Sequence, residues 1–100
     1  MRVDLHMHTG YSADAAFPQT VADKVHACRA AGLDIIGITD HLDFYRTHGP
    51  AENRDAEACL RYVWAAKEAA EWIEVLVGIE IGQIQADSAA DAFVRGHQLD

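Results

Sequence analysis

Leu33-Asp34-Ile35-Ile36-Gly37-Ile38-Thr39-Asp40-His41 starts as a short β-branched apolar run and finishes in three polar residues. The run Leu33 to Ile38 has the pattern of a strand covered on both faces, as strands of parallel sheets are. Helical signals flank it. Upstream, Pro18 and Thr20 announce a helix with Thr20 as N-cap and Asp23 in its first turn. Val21, Val25 and Cys28 make its apolar stripe, and Gly32 suits its C-cap. Downstream, Gly49-Pro50 marks a loop. From about Arg54 to Trp72 no breaker occurs, and Leu60, Val63, Ala66, Ala70 and Ile73 trace the apolar face of a long helix.

Working outward, two more strands emerge. Arg2 to Met7 alternates, with Val3, Leu5 and Met7 on one face and Asp4, His6 and His8 on the other. Glu74-Val75-Leu76-Val77-Gly78-Ile79-Glu80-Ile81-Gly82 is the third strand. Asp87 or Ser88 caps a last helix through about Val94, and Gly96 and Asp100 fall in a closing loop. The order is β-α-β-α-β-α, an α/β fold whose long crossovers require parallel strands. Functional groups in such folds gather at the C-terminal ends of the strands. His8, His41 and Glu80 all stand there.

A length of 100 residues suits one small domain. With 50% hydrophobic and 24% charged residues, the chain is globular rather than disordered. No apolar run approaches the ~18 residues of a membrane span, and no secretory pattern opens the sequence, so a cytoplasmic location is expected. Sixteen acids against eight bases give a net charge of −8, which argues against nucleic acid as a partner. A small phosphorylated substrate stays compatible, because two or three divalent cations would add roughly four to six positive charges locally. Cys28 and Cys59 fall within predicted helices without CxxC spacing and read as small buried hydrophobes.

Strand alternation sets His6 and His8 on one face about 7 Å apart at Cα, near enough to chelate one ion. Neutral imidazole is the commonest protein ligand for Zn, Mn or Fe. An ordinary pair of polar strand residues is the alternative. Asp4 either orients a ligand from behind or is simply a polar residue near the strand start. His41 is a ligand or a solvated residue, with Thr39 and Asp40 satisfying backbone groups beside it. Glu80 sits between Ile79 and Ile81, and a buried carboxylate needs a partner, either a metal shared with His6 and His8 or an arginine. Asp14 is a ligand or a turn former. His26, His48 and His97 read as solvated or loop residues.

Asp4-Leu5-His6-Met7-His8-Thr9, Ser12-Ala13-Asp14, Thr39-Asp40-His41 and Gly78-Ile79-Glu80 resemble, in order and spacing, the opening motifs of the polymerase-and-histidinol-phosphatase (PHP) domain. His41-Leu42-Asp43-Phe44 and Gly78-Ile79-Glu80-Ile81-Gly82 are most similar to its histidinol-phosphatase branch. The resemblance implies a partial (β/α)7 TIM-like barrel with two or three divalent ions at its C-terminal rim. His6 and His8 would hold one ion, Glu80 would bridge it to a second, and Asp14 and His41 would serve a third, with Asp4 and Asp40 behind these ligands. The implied reaction is hydrolysis of L-histidinol phosphate in histidine biosynthesis, with the ions polarising the phosphoryl oxygens and activating water. Other PHP phosphoesterases or nucleases, an amidohydrolase-like barrel and an inactive metal-binding fragment are the alternatives. Such a barrel takes on the order of 250 residues. Residues 1–100 are therefore expected to be its N-terminal part, truncated before the fourth strand, with self-association through the unpaired sheet edge.

Overall fold

Ile36 and Ile38 have no solvent exposure at all, and the strand that carries them lies in the middle of the sheet. The computed structural model describes residues 1–10, 19–41, 56–81 and 88–100. Its elements run β1 (Val3–Met7), α1 (Val21–Ala30), β2 (Ile35–His41), α2 (Ala56–Ala69), β3 (Glu74–Glu80) and α3 (Ser88–Gly96). The strands are parallel in the order β1-β2-β3. Both α1 and α2 pack on the same apolar rows of the sheet, as right-handed crossovers between sequential parallel strands require. That is the α/β arrangement expected for the first βα units of a TIM-like barrel. Asp14, the Gly49-Pro50 loop with His48, Arg54, Gly82 and Asp87 lie outside the described residues.

The core forms where the apolar rows of the strands meet the helices. Ile36, Ile38, Val75 and Val77 pack with Val21 and Cys28 of α1, with Leu60 and Val63 of α2, and with Ile73. Each such aliphatic side chain contributes roughly 1.5–3 kcal/mol on burial. Ile73 corrects the helical stripe. It joins the core from the turn before β3, because α2 ends at Ala69, with Ala70 N donating to Lys67 O, and Trp72 takes a positive φ of 71°.

Helix α1 is bounded as its residues require. Thr20 accepts from Asp23 N at 3.1 Å and Asp23 Oδ2 accepts from Thr20 N at 2.9 Å, a complete capping box. At the other end Gly32 N donates to Arg29 O and Leu33 N to Cys28 O, the two bonds of a Schellman motif. Gly32 supplies the left-handed conformation, φ 81°, that this motif needs. Cys28 and Cys59 are buried free thiols.

Strand β2 is longer than its apolar run. Pairing with β3 is continuous from Ile35↔Glu74 to His41↔Glu80, so Thr39, Asp40 and His41 belong to the strand itself. Strand β1 departs from simple alternation. Its partners jump from Asp4↔Ile36 to Met7↔Ile38, so three steps on β1 match two on β2. This is a bulge. Paired residues of parallel strands share a face, which puts Asp4 with Met7 on the helix-covered side rather than with His6.

Gly37 makes room for the bulge. A Cβ at that position would lie 2.9 Å from Leu5 O and 3.0 Å from Leu5 Cα, a clash with backbone. Beyond β3, Asp100 occupies the outward groups of Val77. Its N–H donates to Val77 O at 2.9 Å, and its carboxylate accepts from Val77 N at 2.9 Å and from Lys67 Nζ.

Candidate metal centre

Alternation along β2 and β3 sends Ile36, Ile38 and Asp40 towards the helices and Gly37, Thr39 and His41 away from them. Glu80 shares the face of His41 by register. The bulge in β1 turns His6 towards the same rim. Four predicted ligands thus meet at the C-terminal ends of three strands.

Their contacts are close. Glu80 Oε2 stands 3.0 Å from His6 Nε2, 3.3 Å from His8 Nε2 and 3.5 Å from His41 Nε2. His6 and His8 approach each other at 3.1 Å through their Nε2 atoms, so one ring must donate and the other accept. The imidazoles of His8 and His41 stack with centroids 4.6 Å apart at 15°. His6, His8 and Glu80 form the tightest group, with ligand atoms all within 4.8 Å of one another. His41 reaches only its margin.

Glu80 Oε2 is inaccessible to solvent yet makes no hydrogen bond. The Glu80 side chain as a whole is 38% exposed, but that exposure belongs to its other atoms. Three imidazole nitrogens within 3.5 Å of an oxygen that has no hydrogen bond gather a nitrogen–oxygen donor set around one point. Nitrogen and oxygen ligands about 2.0–2.2 Å from one divalent ion stand about 3.0–3.5 Å apart at octahedral or tetrahedral angles. The observed separations fit. No arginine among the described residues approaches Glu80, so the arginine alternative finds no support.

Behind the cluster, the two aspartates hold backbone groups of the histidine segment rather than imidazoles. Asp4 Oδ1 accepts from the His6 backbone N–H at 3.0 Å, steadying the bulge rather than an imidazole. Its charge reaches the α1 side, where burial first and Asp4 second push the Cys28 thiol up from its usual range. Asp40 is 1% exposed and reaches across to β1. It accepts from Thr9 N at 2.5 Å and from Thr9 Oγ1 at 2.7 Å. Cys59 Sγ lies 3.9 Å from the same carboxylate. Burial, with the Asp40 charge beside it, pushes the Cys59 thiol up to about 12.

Thr9 is the residue sequence reasoning passed over. It sits immediately after the His-x-His pair and is 1% exposed. Its hydroxyl type was the signal available, since a buried hydroxyl seeks a specific acceptor. His26 is exposed as expected. His97 stacks on Phe93 and meets Glu57 at 3.3 Å, on α2 rather than at the rim.

Among the described residues no helix is long and apolar enough to cross a membrane. Residues 4–98 match the family model of the PHP domain. No curated protein and no solved structure gives a significant match.

Proposed function

Because the chain belongs to the PHP domain family, we propose that it works as a metal-dependent phosphomonoesterase, cleaving L-histidinol phosphate to histidinol and phosphate. The coarser half follows from the family, whose members are generally metal-dependent phosphoesterases. The finer half rests on His41-Leu42-Asp43-Phe44 and Gly78-Ile79-Glu80-Ile81-Gly82, which resemble the histidinol-phosphatase branch.

One observation carries the metal dependence: a solvent-inaccessible Glu80 Oε2 without a hydrogen bond, ringed by three imidazole nitrogens. His6 and His8 would hold a first ion with Glu80, and His41 with Asp14 would serve another. Bound divalent ions supply positive charge to the phosphoryl oxygens and make water a better nucleophile. Among the described residues the cluster holds no activated hydroxyl or thiol, and in this reading its imidazoles are taken up as ligands. Thr9 spends its hydroxyl on Asp40, and the Cys59 thiol, pushed up to about 12, stays protonated and inert. Direct attack of water therefore suits the site better than a covalent intermediate. In this reading the remaining ligands come from further strands of a closed barrel.

Phosphate release by the full-length gene product, loaded with Mn, Zn or Fe(II), provides the test. Turnover of L-histidinol phosphate in preference to other phosphomonoesters and a single-stranded oligonucleotide is expected, and Glu80→Gln should abolish it. Metal bound without turnover of histidinol phosphate would defeat the substrate assignment. A second reading, metal binding without catalysis, draws on the 64% exposure of the His6 side chain. It predicts tight metal uptake with no phosphoester cleaved.

A further inference from the structure

We infer that Thr9 and Asp40 form a cross-strand clamp that positions His8 against His41, coupling the two histidine segments into one metal-binding unit. The inference rests on reading the rim as a metal centre. It begins with a gap in the sheet. The β1–β2 ladder carries a bulge and makes its last pair at Met7↔Ile38, before the His8 and His41 positions are reached. Beyond that pair, side chains tie the two segments together: Thr39 Oγ1 donates to Met7 O at 3.4 Å, and Asp40 bonds Thr9.

Asp40 closes the gap. Its Oδ1 accepts the Thr9 backbone N–H and its Oδ2 accepts the Thr9 hydroxyl, so the carboxylate grips one residue at two points. Thr9 follows His8 directly, and Asp40 precedes His41 directly. Both clamp residues are 1% exposed. Burying a carboxylate is costly, whereas an apolar pair would fill the same space without fixing register. What the carboxylate adds is direction. It holds the two backbones so that the imidazoles on the opposite face lie stacked at 4.6 Å, each within 3.5 Å of Glu80 Oε2. Neither Thr9 nor Asp40 touches that oxygen, so both are positioning residues.

Zn(II) titration by calorimetry, with the visible spectrum of the Co(II)-loaded protein, tests the clamp in the full-length gene product. Thr9→Val keeps the side-chain shape and loses the hydroxyl, and should bind Zn(II) roughly 10- to 100-fold more weakly with an altered Co(II) spectrum. Thr9→Ser keeps the hydroxyl and should restore both readouts. Asp40→Asn should resemble Thr9→Val, and the Val/Ser pair decides the matter if that variant does not fold. Val63→Ala, a core change in α2, should lower stability and leave affinity and spectrum unchanged. Wild-type affinity and spectrum in folded Thr9→Val would overturn the clamp alone. Failure of the wild type to take up Zn(II) would overturn the metal centre and the clamp together.

Discussion

The two faces of the three-stranded sheet differ more than any two elements do. Towards the helices, Ile36, Ile38, Val75 and Val77 are 0–1% exposed and sealed against α1 and α2. On the other face the same strands present His41 and Glu80, joined by His6 of β1 and by His8 just after it, around a carboxylate oxygen that makes no hydrogen bond. One face holds the fold together, and the other carries an arrangement that the fold alone does not need. Stability and metal affinity should therefore respond to different residues, although they are neighbours along the chain.

The sharpest way to break that separation is within β2. Ile38→Ala removes a fully buried side chain and should cost about 2–5 kcal/mol in urea unfolding. Zn(II) affinity of the protein that remains folded should be unaltered; a parallel loss of affinity would show the faces to be coupled through the core. Gly37→Ala is next in size and straddles the two faces. Its Cβ meets the Leu5 backbone at 2.9 Å, so β1 must shift. About 1–3 kcal/mol of stability should go, and metal affinity with it, because His6 rides on the displaced bulge. Equal affinity in wild type and Gly37→Ala would separate the bulge from the site.

The smallest effect is at Asp100, away from both faces. Hydrogen bonds from Lys67 and from Val77 N hold its carboxyl below the usual range. A carboxylate favoured in the folded state gives its full stabilisation above its unfolded pKa. That contribution fades as pH falls through the folded value. Asp100→Asn should therefore be less stable than wild type near pH 7, by less than about 1 kcal/mol after screening. The difference should shrink progressively as pH falls below the ordinary carboxylate range. A difference independent of pH would mean that the interaction is not ionic.

Legibility in the sequence follows the range of the interaction. The strands β2 and β3 and the caps of α1 rest on local pattern, and they stand at their apolar runs, β2 extending to His41, and at the Thr20–Asp23 and Gly32 signals. The meeting of His6, His8, His41 and Glu80 was also legible, since parallel order carries every strand end to one rim. The bulge was not. One extra residue in β1 leaves the alternation of His6 and His8 intact and shows only in the pairing with β2, which is why Asp4 changed faces. The Thr9–Asp40 pair was hidden for a related reason. It spans 31 positions, and both residue types have ample local hydrogen-bonding choices that sequence cannot rank.

Asp100 has one more consequence. By filling the outward donor and acceptor of Val77, it works as a latch that leaves this rung of the β3 edge no open group to offer a foreign strand. Exposed rungs are what stray chains copy when sheets grow into aggregates. A strand of another chain pairing at Val77 must first displace Asp100, whose carboxylate is also tied to Lys67. Salt that weakens the tie should therefore loosen the latch as well.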